Sequence, residues 1–199
     1  MNKKNIAIAL LASGESKRFN GIKLLATIHQ QSLLSLSLQA LQVLNLPLFV
    51  ILGAHREEIA PTLDSNIIIN ERYAHGISSS ILTASEQLYS EYSYNAILFC
   101  LADQPFIPAQ HYQNIINIYQ NSTCDIVATE YSKNDKEIVG NPALFSNNCY
   151  DDLMSLQGDK GAKSLIMSKQ YKTRTVLCQE AKYDIDTRED LELIKQKLS

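Results

Sequence analysis

The sequence lacks an excess of positive charge, and this absence limits the partners that the whole protein could attract. Its 199 residues carry 18 Lys and Arg against 21 Asp and Glu, which gives a net charge of −3. No protein-wide basic field is therefore expected to attract nucleic acid or an anionic membrane. A site for an anion has to be local, built from a few neighbouring cations.

Long apolar runs and clustered cysteines are also missing. No segment reaches the roughly 18 apolar residues of a membrane-spanning helix, and the residues after Met1 lack the long apolar core and cleavage site of a secretory signal. The four cysteines lie far apart, without a CxxC pair or a nearby His at metal-ligand spacing. We therefore expect reduced thiols and a cytoplasmic location, with Cys100 and Cys178 inside strands.

Apolar runs bounded by turn residues alternate with segments of helical period, which is typical of an α/β protein. The length suits one domain over residues 1–199. Strands are predicted at Asn5–Ala12, Leu46–Leu52, Asn66–Asn70, Asn95–Ala102, Asp125–Tyr131 and Thr173–Cys178. Helices are predicted at Ser32–Leu44, His55–Leu63, Ser78–Tyr89, Pro108–Gln120, Asn147–Leu156, Lys160–Lys169 and Arg188–Leu198. The polar segment Tyr131–Gly140 is interpreted as a loop.

The segment after the first predicted strand gathers cations around glycine. Ligands of open α/β sheets bind beyond the carboxyl ends of the strands, where Gly14 is followed by Lys17, Arg18 and Lys23. Glycine lets backbone N–H groups approach an anion, and Arg and Lys offer donors and charge to phosphate oxygens. Neither a Walker GxxxxGK(S/T) motif nor GxGxxG is present. From these residues alone, the loop is either a polyphosphate cradle or a solvated turn.

The same segment carries a family motif. Residues 11–23, LASGESKRFNGIK, resemble the LAAGxSxRMGxxK signature of the MobA/MocA-like nucleotidyltransferases, which include the molybdenum cofactor cytidylyl- and guanylyltransferases. The resemblance implies a Rossmann-like three-layer α/β/α fold with a mostly parallel sheet, as in nucleotide-diphospho-sugar transferases. It also implies that Arg18 and Lys23 neutralise phosphate charge and act in catalysis. The loop residues expected to hold the triphosphate and base are Leu11, Ala12, Ser13, Gly14 and Ser16.

Two positions depart from that signature. Ser13 stands where the family usually has Ala and adds a hydroxyl near the expected base, which leaves the base preference open. Asn20 stands where the family usually has Gly. Asn tolerates positive φ better than most other non-glycine residues, and Gly21 follows it, so the loop could keep its path.

An aspartate follows the apolar run 96-AILFCLA-102. A carboxylate in this position is unfavourable if it is dry and unpaired, so Asp103 needs a metal, a helix N-terminus or water, or it caps the following turn. Residues 101–105, LADQP, resemble the family motif LADMP or LGDQP, whose Asp binds Mg²⁺. By that resemblance Asp103 is a catalytic metal ligand.

A second acidic cluster lies in 183-YDIDTREDL-191, where a strand-like Tyr183–Asp186 would place Asp184 and Asp186 on one face. The segment is similar to the family's DIDTPEDL, with Arg188 in place of Pro. The similarity implies metal or phosphate contacts, and we favour Asp186 over Asp184 as the second metal ligand. From the residues alone, both could simply precede and cap the last helix.

Another segment, beginning at Asn70, resembles a motif on the nucleotide side. It follows the family's NxxxxxGMxSSL pattern, which implies that Asn70, Gly76 and Ser80 lie at the nucleotide. Serines at the start of a helix are also ordinary caps, so that interpretation stays open.

Two segments resemble motifs on the acceptor side. Residues 140–145, GNPALF, and 156–166, LQGDKGAKSLI, are similar to the family's xxPxLF and LxGDxGAR. The residues implied for the acceptor are Pro142, Gly158, Asp159 and Lys160. An ordinary turn before a helix would explain the second segment equally well, although a helix N-terminus can also accept an anion.

Taken together, the motifs predict a Mg²⁺-dependent enzyme that transfers a nucleoside monophosphate from a nucleoside triphosphate, with CTP favoured. The expected acceptor carries a phosphate, with molybdopterin as the prime candidate, and pyrophosphate is released. A guanylyltransferase or a sugar- or polyol-phosphate transferase would use similar machinery. An alternative of another class is a non-catalytic nucleotide-binding protein that serves a molybdenum enzyme.

Overall fold

The computed structural model describes residues 4–198, without the side chains of residues 160, 197 and 198. The strands in this part are β1 Ile6–Ala12, β2 Thr27–Ile28, β3 Gln31–Ser32, β4 Leu48–Leu52, β5 Asn66–Ile69, β6 Ala96–Leu101, β7 Ile126–Lys133, β8 Lys136–Ser146 and β9 Thr173–Leu177. The α-helices are α1 Leu33–Gln42, α2 Arg56–Ile59, α3 Ile77–Ser85, α4 Ala109–Gln120, α5 Tyr150–Met154, α6 Lys163–Ile166 and α7 Arg188–Leu198. Short 3-10 turns lie at Lys23–Leu25, Ala60–Thr62, Tyr73–His75, Asn147–Cys149, Gly158–Lys160 and Gln179–Lys182, and a π turn at Glu86–Glu91.

The main sheet has the strand order β5–β4–β1–β6–β8–β7–β9. Strand β1 pairs in parallel with β4 and β6, β4 with β5, and β7 with β9, whereas β8 runs antiparallel to β6 and β7. The predicted mostly parallel sheet is therefore confirmed.

Alternate residues of β1 supply two cores, one on each face of the sheet. Ile8 and Leu10 pack with side chains of α1 and α4, while Ala9 and Leu11 pack with side chains of α3, α5 and α6. Burying one such aliphatic side chain contributes about 1.5–3 kcal/mol. Because helices cover both faces, β1 is apolar throughout, and the three-layer α/β/α fold is confirmed.

The four cysteines are buried free thiols. Cys100 lies in β6 as predicted, but β9 ends at Leu177, one residue before Cys178. The backbone N–H of Cys178 still donates to Glu130 O at 2.9 Å, and a 3-10 turn begins directly afterwards. Across residues 4–198, we find no helix with the length and apolarity needed to cross a membrane.

The prediction of a loop at Tyr131–Gly140 is wrong, because this segment forms the end of a β-hairpin. Strands β7 and β8 continue to Lys133 and Lys136 and are joined by Asn134 and Asp135, with φ of 53° and 57°. Two central residues of positive φ are typical of the tight turns that join antiparallel strands. The hairpin reads as a loop in sequence because its tip is exposed and therefore polar. Strand β8, which the sequence did not predict, carries the GNPALF segment.

Other predicted elements are shorter or interrupted. Tyr183–Asp186 is not a strand, although Ile185 N donates to Asp103 O at 3.1 Å. The helix predicted at Ser78–Tyr89 is α3 followed by the π turn, and a small β2–β3 hairpin precedes α1. Helix α1 begins after Ser32, whose side chain accepts a hydrogen bond from Ser35 N at 3.1 Å, as an N-cap does.

A buried histidine makes the stability of this fold sensitive to acid. His111 of α4 is 4% exposed and its Nε2 lies 2.8 Å from Thr129 Oγ1, and burial lowers its pKa to about 4 although Glu180 opposes the shift. Between pH 6.5 and 4 the unfolded chain therefore binds a proton that the folded chain does not, and stability falls as pH falls. We expect this group to account for about 1–3 kcal/mol of the loss. Denaturant titrations of wild type and His111→Gln across this range measure it, and parallel pH curves for the two proteins would contradict the assignment.

Candidate active site

The carboxyl ends of β1 and β6 bring two predicted motifs side by side. Leu11 of β1 pairs with Leu101 of β6, and Ala102 N donates to Leu11 O at 3.1 Å. The loop that leaves β1 and Asp103, which follows β6, therefore start from adjacent points on the same edge of the sheet. This is the edge at which open α/β sheets bind ligands.

The loop after β1 adopts an unusual backbone path. Ser16 and Asn20 have positive φ, 55° and 52°, and Gly21 has a φ of 141°. Non-glycine residues adopt positive φ infrequently, and Asn does so more readily than most. Phe19 N donates to Ser16 O at 2.9 Å, and the Phe19 side chain is 3% exposed, so the loop is fixed to the core at this point.

Four charged side chains from three separate segments meet beside this loop. Lys23 Nζ lies 2.8 Å from Asp103 Oδ2 and 3.3 Å from Asp186 Oδ1. Arg18 Nη2 lies 2.9 Å from the other oxygen of Asp186. The Lys23 side chain is 13% exposed and Arg18 is 72% exposed, so one cation lies inside the cluster and the other at its rim.

Asp184 lies away from this cluster, although it is only two residues from Asp186. Its carboxylate accepts from Gln104 Nε2 at 2.7 Å and lies 3.6 Å from Lys133 Nζ. Burial raises the pKa of the Asp184 carboxyl, and the charges of Asp103 and Asp186 add to the rise, while the contacts of Gln104 and Lys133 oppose it. Of Asp184 and Asp186, it is therefore Asp186 that shares the partner Lys23 with Asp103.

Two open cavities flank Asp103. The larger, of about 400 Å³, lies over the loop after β1, and the smaller, of about 350 Å³, lies toward β8 and α6. Both are lined by Ile77, Leu101, Asp103 and Asp159. Two ligands that occupied these cavities would meet at the Asp103 carboxylate.

The residues predicted to hold the nucleotide are divided between the cavity walls and the layer beneath. Lining the larger cavity are Leu11, Ser13, Gly14, Ser16 and Gly76. A small pocket of about 70 Å³ below the loop is lined by Ala12 and Lys23 together with Leu11, Gly14, Ser16, Leu24 and Asp103. Arg18 lies at Asp186, outside both spaces.

Asn70 and Ser80 lie beneath the site and join its segments. Asn70 Nδ2 donates to Ser79 Oγ at 2.8 Å and to Ser80 Oγ at 3.0 Å, and the hydroxyls of Ser80 and Ser13 share a hydrogen bond of 2.5 Å. Both residues are buried. The Ser13 hydroxyl, which the sequence placed near the base, is therefore already engaged with α3.

Of the predicted acceptor residues Pro142, Gly158 and Asp159, only Asp159 lines the smaller cavity. Asp159 lines both cavities, and Gly158 is exposed with a φ of 67°. Pro142 follows a cis peptide bond and is buried, so its neighbours Gly140 and Asn141 form the cavity wall instead. The side chain of Lys160 lies outside the described part of the structure.

Sequence reasoning missed several residues of the site. Tyr73 lines the larger cavity, and Gln104 and Val139 line the smaller one. Gln104 is part of the LADQP motif, and its contact with Asp184 could have been expected from its position next to Asp103. Val139 could not, because it lies on the strand that was interpreted as a loop.

Gly76 packs so closely against the 158–159 turn that a side chain there should disturb the site. It has a φ of 87°, and an added Cβ would lie 2.1 Å from Asp159 Oδ1 and 2.9 Å from Gly158 C. We expect Gly76→Ala to lower the free energy of unfolding by about 1–3 kcal/mol. Thermal denaturation measures the effect. Gly140→Ala is the matched control, because its added Cβ meets nothing within 4 Å, and equal melting temperatures for the two variants would refute the packing argument.

A comparison of the sequence with protein-family models identifies the family of this chain. Residues 8–174 match the model of the MobA-like NTP transferase domain. The chain belongs to the MobA-like NTP transferase family. It is accordingly a nucleotidyltransferase, and the non-catalytic alternative is not retained. A search of curated proteins gives no match to this member of the family.

Solved structures share the fold of this MobA-like transferase over nearly its whole length. Rv0371c from Mycobacterium tuberculosis H37Rv has a TM-score of 0.83 at 24% identity, and the match covers 98% of this chain and 100% of Rv0371c. A structure of Rv0371c in complex with manganese has a TM-score of 0.79 at 22% identity, and that match covers 97% of this chain and 99% of Rv0371c. The 4-diphosphocytidyl-2C-methyl-D-erythritol synthase of Anaerococcus prevotii has a TM-score of 0.77 at 15% identity, covering 98% and 96%. The molybdopterin-guanine dinucleotide biosynthesis protein A of Archaeoglobus fulgidus has 0.72 at 14%, covering 96% and 98%.

Proposed function

We propose that residues 1–199 form one NTP-transferase domain that transfers a nucleoside monophosphate from CTP to a phosphate-bearing acceptor, with Mg²⁺ as cofactor and molybdopterin as the acceptor. The observation that carries the proposal is the charged cluster of Arg18, Lys23, Asp103 and Asp186, in which Asp103 lines both cavities and Asp186 lines the smaller one. Cations for phosphate and carboxylates for a metal ion are brought together where two substrates could meet.

The chemistry of the cluster suits a divalent cation. Asp103 Oδ1 is buried and accepts no hydrogen bond from the described residues, so it is a polar atom that lacks a partner. Although residues 4–198 contain no group of three or more His, Cys, Asp or Glu in a metal-binding arrangement, Mg²⁺ is commonly held by one or two carboxylates together with substrate phosphates. Asp103 and Asp186 would hold the ion. When bound, it would offset negative charge on the triphosphate.

In the proposed reaction, an oxygen of the acceptor phosphate attacks the α-phosphorus of the nucleoside triphosphate. The new P–O bond forms as the bond to the bridging β-phosphate oxygen breaks, and pyrophosphate leaves with that electron pair. The nucleophile already carries negative charge, so no strong base is needed. Lys23 and Arg18 act by orienting the phosphates and stabilising the charge that develops on them.

The larger cavity is proposed to bind the nucleotide, with backbone groups of Gly14 and Ser16 near the phosphates and Gly76 toward the base. The smaller cavity is proposed to bind the acceptor, with Asp159 between the two and Pro142, Gly158 and Lys160 in supporting positions. Asn70 and Ser80 are proposed to support the nucleotide site from below, since both are buried and bond to its walls.

The choice of CTP depends on the family resemblance, chiefly on the small residues Ala12 and Ser13 and on the DIDT and GDKGA segments. The fold by itself does not select the base, since relatives of this fold carry both cytidine and guanine in their names. A guanylyltransferase is therefore the second candidate, and a sugar- or polyol-phosphate acceptor is the alternative to molybdopterin.

Pyrophosphate release tests the proposal. The protein is incubated with CTP, GTP, ATP or UTP and Mg²⁺ or Mn²⁺, either without an acceptor or with molybdopterin, a sugar phosphate or a polyol phosphate. We expect release that requires molybdopterin and the cation, with a kcat/KM for CTP at least about tenfold above that for GTP, which corresponds to about 1.4 kcal/mol. Preference for GTP would replace the donor. Absence of release with molybdopterin, but release with a sugar or polyol phosphate, would replace the acceptor.

A further inference from the structure

Arg188 connects the last helix to the backbone of the loop after β1. Its Nε donates to Phe19 O at 3.2 Å, and its Nη2 donates to Asn20 O at 3.0 Å. The two carbonyls are consecutive, so the planar guanidinium spans one peptide unit of the loop with a pair of donors. Lysine would offer a single ammonium in this place and could not reproduce the paired geometry.

Packing holds the same guanidinium in place. Its central carbon lies 5.5 Å from the centre of the Phe19 ring, and that ring is buried with Ile185 and Leu191. An added Cβ on Gly21 would come within 3.3 Å of Arg188 Nη2, so the loop and the guanidinium are in close contact at this point too. Arg188 therefore contacts three successive loop residues, although it is itself exposed to solvent.

The loop needs such an attachment because of its conformation. Ser16 and Asn20 keep positive φ values that non-glycine residues adopt only when the surroundings hold them there. Arg18 and Lys23, which lie within this loop, bond through their side chains to Asp186, two residues before Arg188. One short segment thus holds the side chains of the loop through Asp186 and its backbone through Arg188.

We infer that Arg188 is a positioning residue of the nucleotide site, which sets the backbone of loop 14–23 so that Arg18 and Lys23 face the triphosphate. The inference rests on the proposed function for the identity of the ligand. Arg188 lines neither the larger nor the smaller cavity. It acts on the site through its hydrogen bonds to the backbone carbonyls of the loop. The segment around it resembles a family motif that has Pro at this position, and proline has no guanidinium with which to make this attachment. Proline is compatible with the first turn of a helix, which allows the guanidinium to be removed without ending α7.

The test compares Arg188→Met, which keeps an apolar stem against Phe19, with Arg188→Lys and Arg188→Pro. For Met and Pro we expect the KM for the nucleoside triphosphate to rise about tenfold, as the loss of charge-assisted hydrogen bonds of about 1.5 kcal/mol would give. The KM for the acceptor should stay within twofold, and Lys should restore part of the loss. Glu189→Gln is the control, since this exposed neighbour lies on the same turn of α7.

Amide hydrogen exchange of the nucleotide-free protein gives a readout that does not depend on the reaction. Exchange in residues 14–23 should accelerate at least about threefold in Arg188→Met, while the melting temperature and exchange in β1 and β6 stay unchanged. Failure of the proposed reaction would leave this result intact. Unchanged exchange in the loop together with an unchanged KM for the triphosphate would overturn the inference. Equal rises in both KM values would do so too, because they would indicate general damage to the site.

Discussion

Asp103→Asn is expected to lower kcat by about 10²–10³-fold or more, the range seen when one preorganised electrostatic group is removed from an active site. The change keeps the shape of the side chain and removes its charge. Asp103 lies at the wall shared by both cavities, and its Oδ1 has no hydrogen-bond partner among the described residues, so this oxygen is available to a metal ion. The assay is pyrophosphate release at saturating substrate and metal.

The fold of this variant should be intact, because the amide oxygen of the new Asn side chain can still accept a hydrogen bond from Lys23 Nζ. The apolar run that precedes residue 103 is also unchanged. We expect a melting temperature within a few degrees of wild type. Asp135→Asn is the matched control, since it makes the same change at the exposed tip of the β7–β8 hairpin. A variant with near-normal turnover would show that Asp103 has no role in holding a metal ion, and an unfolded one would call for Asp103→Glu in its place.

Lys23→Met should reduce catalysis by a similar factor. It should also strengthen the binding of a divalent metal ion to the nucleotide-free protein. Loss of the ammonium removes charge stabilisation from the phosphates, and we expect kcat/KM for the triphosphate to fall about 10²–10³-fold. In the free protein, Lys23 bonds to both Asp103 and Asp186, so its removal leaves two carboxylates without their shared cation. Two charges about 4 Å apart in a protein-surface environment interact by up to about 4 kcal/mol. We expect Mn²⁺ to bind the nucleotide-free variant at least about tenfold more tightly than wild type.

Electron paramagnetic resonance of free Mn²⁺ measures the second effect without turnover. Lys23→Arg keeps the charge and should leave the Mn²⁺ affinity within threefold of wild type, whereas Lys172→Met, which removes an exposed cation just before β9 and away from both cavities, should alter neither quantity. Weaker Mn²⁺ binding in Lys23→Met would contradict the arrangement, as would turnover within twofold of wild type.

Local patterns in the sequence were sufficient to predict the central strands and the loop after β1. Strand β1 is apolar at every position because both of its faces are buried, and such a run is visible without any knowledge of the partners. Asp103 could be located in the same way, because a carboxylate that directly follows a buried strand is rare unless it is needed. Because ligands of open α/β sheets bind at the carboxyl ends of the strands, the loop after β1 and Asp103 are both expected at that edge of the sheet.

Features that depend on distant contacts could not be predicted. The first half of strand β8 was missed because its exposed tip is polar, and Val139 of the smaller cavity was missed with it, although the resemblance of residues 140–145 assigns that segment to the acceptor side. Asn70 and Ser80 are expected at the nucleotide from the resemblance, but their mutual hydrogen bond in the buried layer beneath the larger cavity could not be predicted. The contact of Arg188 with Phe19 and Asn20 joins residues almost a whole chain length apart, and no pattern of composition or period encodes such a pair.

The wall shared by the two cavities has a consequence for the end of the catalytic cycle. In the proposed reaction, a product that joins the nucleotide to the acceptor would occupy both cavities as one molecule, so each half would hold the other at a high effective concentration. If either half dissociates from its cavity first, the covalent link keeps it close to Asp103 and favours rebinding. We therefore expect the dinucleotide product to bind more tightly than either substrate, and its departure to be slower than the chemistry that forms it.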